Sequence, residues 1–207
     1  MGKQKTSKAA KSQPTTTTTA TPPPPPAWPR FTPRLPVVDL APTPHPRTAR
    51  VVTVDGFFPR SLCRAYVALL STLALQTTPG TPRRGDAVRV NDRLQVHDAA
   101  LAAALWERTR TSGCTGTPKA SSSTVTVQAR TTWTLLLYLT SAAEGCVGGE
   151  TVFYPHDRQS DADAIPVAPR TGTLLLHKHG DDCLLHEGKE VRAGEKWVLR
   201  TDLCIKR

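Results

Sequence analysis

His186 and Lys196 are the two side chains whose types and spacing suggest chemistry. His186 ends the apolar run Leu184-Leu185, a glycine-containing turn follows, and Lys196 opens a second apolar run ten residues beyond the histidine. In an extended strand alternate side chains share a face, so Lys196, Val198 and Arg200 point the same way. An ammonium on the inward face of a small β domain is costly unless an anion meets it. Two readings are open for this face: a solvated edge, or a surface that receives an acidic ligand. His186 has a matching pair of readings, a structural ring or a metal ligand.

The elements that would position these groups are readable from periodicity. Val51-Val52-Thr53-Val54 is a short β-branched run closed by the turn signal Asp55-Gly56. From Ser61 to Leu75, residues Leu62, Tyr66, Leu69, Leu70 and Leu73 recur at helical spacing and predict one apolar stripe. A second helix is expected over Ala99–Thr109, with Asp98 as its cap and Leu101, Leu105 and Trp106 as its buried side. After Thr132 the pattern changes to strands. Trp133–Leu139 is nearly continuous apolar, which suits a strand buried on both faces. Thr151–Tyr154, Thr173–His177, Leu184–Glu187 and Lys196–Leu203 follow as further strands, with His179-Gly180-Asp181-Asp182 as a tight turn and His156–Ala164 as a polar loop. Helices first and short strands afterwards predict an α+β domain around an antiparallel sandwich or barrel.

Several stretches, in order, resemble the prolyl 4-hydroxylase-like superfamily of Fe(II)- and 2-oxoglutarate-dependent dioxygenases, in particular a fungal-type branch. They are Arg89-Val-Asn-Asp-Arg93, Leu105-Trp-Glu-Arg108, Thr132-Trp-Thr-Leu-Leu-Leu-Tyr-Leu139, Gly148-Gly-Glu-Thr-Val-Phe153, Gly172-Thr-Leu-Leu-Leu-His177, Leu185-His-Glu-Gly188 and Gly194-Glu-Lys-Trp-Val-Leu-Arg-Thr-Asp202. The resemblance implies a double-stranded β-helix (jelly roll) core with flanking helices. It implies iron(II) held by a His-x-Asp pair on an early strand and a distal histidine on a late one, the two-His-one-carboxylate arrangement. His186 matches the distal histidine. Lys196 matches the basic residue that pairs with the far carboxylate of 2-oxoglutarate, and Arg200 is a candidate helper on the same face. The activity implied is hydroxylation of an unactivated C–H bond coupled to decarboxylation of 2-oxoglutarate, supported by ascorbate, with a protein prolyl residue as the best-known kind of substrate.

The chain departs from the family at one place. Between the Leu105-Trp106 helix and the Thr132-Trp133 strand only Thr109–Thr131 remains, 23 residues without a single His, Asp or Glu. The family carries an Arg/Tyr-rich strand and then the His-x-Asp strand there. His156-Asp157-Arg158 and His179-Gly180-Asp181 are the only local stand-ins, and both lie in loops; His177 and His179 are expected as strand-end and turn residues. An abrupt loss between kept motifs reads as a skipped exon ahead of a true deletion. With one imidazole left, weak iron(II) and 2-oxoglutarate binding and negligible turnover are expected. The alternative is a non-catalytic remnant acting as an interaction protein.

Charge and composition narrow the other classes. Residues 1–50 hold eight Lys/Arg against Asp39, a net +7, whereas the rest holds 19 basic and 16 acidic side chains, a net +3. A domain near +3 is an ordinary surface and argues against a nucleic-acid partner. Residues 1–48 read as a disordered Lys/Thr/Pro-rich tail and linker, with Thr15–Thr19, Pro22–Pro26 and four early lysines, and 49–207 as the dioxygenase-like domain. The Lys3–Lys11 cluster is a solubilising tail or a patch for an acidic partner or nuclear import. Cys63, Cys114, Cys146, Cys183 and Cys204 form no C-x-x-C pair, which removes common zinc and redox spacings and points to a reducing compartment. No apolar run reaches the length of a membrane span. A cytoplasmic or nuclear, non-secreted protein is the expectation.

Overall fold

Apolar side chains alternating in opposite phases build the central sheet of the protein. The structure is a computed structural model that describes residues 24–30, 40–78, 91–110, 129–156 and 159–206. Five antiparallel strands form this sheet: β1 (Thr43–His45), β2 (Thr48–Val54), β5 (Ala129–Tyr138), β9 (Leu174–Lys178) and β12 (Val198–Lys206), in the order β1-β2-β9-β5-β12. One face carries Val54, Leu135, Leu137 and Leu174 into a core with Phe57, Phe58, Leu62, Tyr66 and Leu70. The opposite face carries Val51, Tyr138 and Leu175 into a second core with Phe153, Ile165 and Leu184. This is why Trp133–Leu139 reads as almost unbroken apolar sequence: both of its faces are covered.

The helices lie on the first face. Helix α1 (Arg60–Leu70) buries Leu62, Cys63, Tyr66 and Leu70. It is five residues shorter at its C-terminus than periodicity predicts. Ser71 Oγ donates to Ala68 O (3.0 Å) and Thr72 Oγ1 to Leu69 O (2.7 Å), and Leu73 N reaches back only three residues to Leu70 O. Hydroxyls that compete for the last carbonyls close the helix there. Helix α2 (Ala99–Arg110) is capped as expected, with Asp98 Oδ1 accepting from the amides of Ala100 and Leu101 at 2.9 Å each. Asp98 Oδ2 also accepts from Trp28 Nε1 at 2.7 Å, and the Trp28 ring stacks on Tyr66. The boundary expected near residue 48 therefore moves toward the N-terminus. Trp28 docks on the helices, Leu40 is buried, and Thr43–His45 forms a strand. The Lys3–Lys11 cluster, Leu35, Val37, Val38, Cys114 and most of the 109–131 segment lie outside the described residues.

The second face is covered by a three-stranded antiparallel sheet of β7 (Thr151–Tyr154), β8 (Ile165–Val167) and β10 (Leu185–Gly188), in the order β10-β7-β8. Strand β8 is too short to show a period, and its Pro166 suits the edge position it occupies. Two-stranded ribbons pair β3 (Gln76–Thr77) with β4 (Asp92–Arg93), and β6 (Val147–Gly148) with β11 (Val191–Ala193). The protein is thus α+β and mostly antiparallel, with two helices among the described residues. No described helix is long and apolar enough to cross a membrane.

The two sheets are joined by a buried hydrogen bond, Tyr138 Oη to Thr151 Oγ1 at 2.7 Å. Burial pushes the Tyr138 phenol up to about 12, so it stays protonated. Tyr138→Phe leaves the Thr151 hydroxyl buried without this partner and is expected to destabilise by about 1–2 kcal/mol. Adding Thr151→Val should recover much of that loss. Urea unfolding midpoints of the single and double variants check both statements.

Candidate metal centre

The space between the sheets is lined by alternate residues of β5, β9 and β12 on one side and of β7 and β10 on the other. Register fixes which ones. Thr134 on β5 stands opposite His177 on β9 and Asp202 on β12, so the three share the inner face with Leu175 and Tyr138. On the facing sheet His186 stands opposite Phe153. The Phe153 ring lies between the walls, with centroids 5.4 Å from His177 and 5.6 Å from His186.

This brings two imidazoles together. The His177 and His186 ring centroids are 4.7 Å apart. Cys183, on the short turn that leads into β10, completes a group whose ligand atoms all lie within 4.8 Å of one another. His177 is buried, Cys183 half-buried, and His186 reaches solvent. His177 Nδ1 is 3.1 Å from Lys178 O, and His186 Nδ1 is 2.9 Å from Leu184 O. A carbonyl can only accept, so each ring donates Nδ1–H to it, and His186 Nδ1 also lies 3.7 Å from Cys183 Sγ. Main-chain anchoring of the second nitrogen is the usual support of a metal-binding histidine.

Burial, then the proximity of His186, lowers the His177 pKa to about 4, with Arg200 and His179 adding smaller effects in the same direction and the Lys178 carbonyl opposing them. His177 is therefore a neutral imidazole at ordinary pH. Burial raises the Cys183 thiol. A metal ion would have to displace that proton on binding.

Lys196 is half-buried on the same inner side. Its Nζ donates to Gly149 O at 2.5 Å and sits 5.4 Å from the Tyr138 ring centroid. Burial lowers its pKa, and the nearby Cys146 and Glu150 partly offset this. Among the described residues no carboxylate forms an ion pair with it. Arg200 stands opposite Leu136 on the same face but is exposed.

Sequence reasoning put Lys196 and Arg200 on one face and matched His186 to a distal metal ligand, but it missed two partners. His177 was expected as a strand-end residue; it is the buried member of the group. Cys183 was set aside with the other cysteines for want of a C-x-x-C pair, although Cys183-Leu-Leu-His186 is a C-x-x-H spacing that could have marked it. Among the described residues neither His156 nor His179 belongs to the group: His179 lies in the turn with its Nδ1 3.5 Å from Thr134 Oγ1, and Asp157 and Arg158 fall outside the described residues.

The donors present, two imidazoles and a thiol, do not fit the two-His-one-carboxylate face of an iron(II) dioxygenase, because no carboxylate belongs to the group among the described residues. No hydroxylation step follows from this site. No protein-family model matches the chain, and no curated protein matches it.

Proposed function

We propose that the protein descends from the prolyl 4-hydroxylase-like Fe(II)/2-oxoglutarate-dependent dioxygenases, that its two sheets are an incomplete jelly roll, and that the chain as written turns over negligibly. The observation that carries this reading is the placement of His186 and Lys196. Lys196, just before β12, packs on Tyr138 of the larger sheet, and His186 on β10 packs beside Phe153 and His177. A half-buried ammonium that meets a carbonyl and a ring, with Cys146 and Glu150 nearby but no ion pair among the described residues, is suited to an anionic ligand. The ammonium meets Tyr138 and the imidazole meets Phe153, two rings of the same core.

The short segment between α2 and β5, without His, Asp or Glu, supports an internal loss. Among the described residues the two facing sheets hold five and three strands, with β1 and β12 at the edges of the larger and β10 and β8 at the edges of the smaller. Strands lost between α2 and β5 would add to the β12 and β10 edges. A His-x-Asp strand beside β10 would stand next to His186. Without it the iron ligands are incomplete, and the uncovered edges favour self-association.

The purified full chain, supplied with Fe(II), 2-oxoglutarate and ascorbate, is expected to form no succinate above background. Weak 2-oxoglutarate binding should be detectable by calorimetry and should vanish in Lys196→Met. Robust succinate formation would overturn the inactivity, and 2-oxoglutarate binding indifferent to Lys196 would overturn the descent. A transcript across the Arg108–Thr132 junction that encodes an in-frame His-x-Asp is the expected genetic result.

A further inference from the structure

We propose that His177, Cys183 and His186 form a binding site for a divalent ion of the zinc type, a site that shares only His186 with the iron arrangement implied by the resemblance. The donor chemistry selects the ion. Two imidazoles and a thiolate are a borderline-to-soft set that suits zinc, whereas magnesium and calcium need oxygen donors and the iron(II) face needs a carboxylate. Three protein ligands leave one tetrahedral position for solvent.

Geometry supports it. Around a tetrahedral zinc the donors stand about 3.3–3.6 Å apart, given Zn–N near 2.0–2.1 Å and Zn–S near 2.3 Å. The donor atoms here lie within 4.8 Å, so side-chain movements of about 1 Å complete the site. Both rings are already turned by their main-chain hydrogen bonds. The walls differ in rigidity. His177 is fixed in a central strand of the larger sheet, while Cys183 and His186 come from a short turn and an edge strand. An ion would therefore tie the β10 edge to the larger sheet. Binding releases the Cys183 proton as the sulfur–metal bond forms, and no redox step is involved.

The test uses the full chain, stripped with chelator and titrated with Co(II) and then Zn(II). One equivalent of Co(II) should produce a thiolate-to-cobalt charge-transfer band in the near ultraviolet, and Zn(II) should abolish it. Fe(II) at the same concentration should not. Cys183→Ser should remove the band, and His186→Gln should weaken Zn(II) binding by about ten-fold or more, at least the loss seen when only a supporting residue is removed. Both positions are solvent-reachable, so these variants should keep the wild-type circular dichroism. His97→Gln, on an exposed histidine away from the group, should bind as wild type. Absence of the band, its survival in Cys183→Ser, or displacement of Co(II) by Fe(II) would overturn the site. Succinate formation and 2-oxoglutarate affinity have no bearing on this result, so the descent and the zinc site fail separately.

Discussion

Between pH 6.5 and 4 the metal-free protein is expected to lose about 3 kcal/mol of stability on account of His177 alone, the equivalent of the gap between its pKa of about 4 in the fold and its ordinary 6.5. The ring is 4% exposed and sits against Phe153 and His186. Burial is the main cause of the lowered value, and the neighbouring imidazole is the second. The sign follows from proton counting. Above pH 6.5 neither the native nor the unfolded chain protonates this ring, and its neutral form fits the core without penalty. Below 6.5 the unfolded chain takes up a proton that the native ring refuses, so acid favours unfolding. The loss ends near pH 4, where the native ring titrates too. Urea unfolding with chelator at about pH 7 and about pH 4.5 measures the difference. His177→Gln should show a markedly shallower dependence than wild type, whatever its own stability at neutral pH. Equal dependence in the two proteins would mean that the ring is not held neutral.

Gly172→Ala is expected to cost about 3–5 kcal/mol, among the largest effects of a single methyl group. Gly172 has φ +82, and a Cβ there would lie 2.0 Å from the carbonyl oxygen of Phe58. That contact is backbone, so no side chain can swing away. The two segments are joined by Phe58 N donating to Gly172 O at 3.0 Å, and Gly172 N donates to Tyr138 O at 2.8 Å. Relieving the clash would pull apart the entry to α1 and the start of β9, the strand that carries His177. Gly56→Ala is the control. Gly56 has φ +66 but open space around its would-be Cβ. It should lose only the left-handed backbone penalty, about 1–2 kcal/mol. The difference between the two urea midpoints isolates the clash. Similar losses at both positions would show that the close approach relaxes without cost.

These two residues mark the limit of what sequence pattern can supply. Gly172 was legible only as the residue before the Thr173–His177 strand, and the Phe58 carbonyl that demands its lack of a side chain is 114 residues earlier. The helices and most strands were legible because an amphipathic stripe and an apolar run carry their own period. Their ends were not always so. Helix α1 stops at Leu70 because two hydroxyls take its last carbonyls, a local competition that the apolar stripe does not register. Trp28 sits in a proline-rich stretch that reads as linker, and only its contacts with Asp98 and Tyr66 make it part of the domain.

By itself the sequence determined the α+β class, the two buried faces of the Trp133–Leu139 strand, and the alternation that puts Lys196 and Arg200 on one side. It also determined that no carboxylate or histidine lies in the 109–131 segment. Only the tertiary structure decided that His177 and His186 meet, because they sit on different sheets and the contact depends on how those sheets face each other. Periodicity reports which side of a strand a residue occupies. It does not report what stands opposite, and metal chemistry depends on what stands opposite.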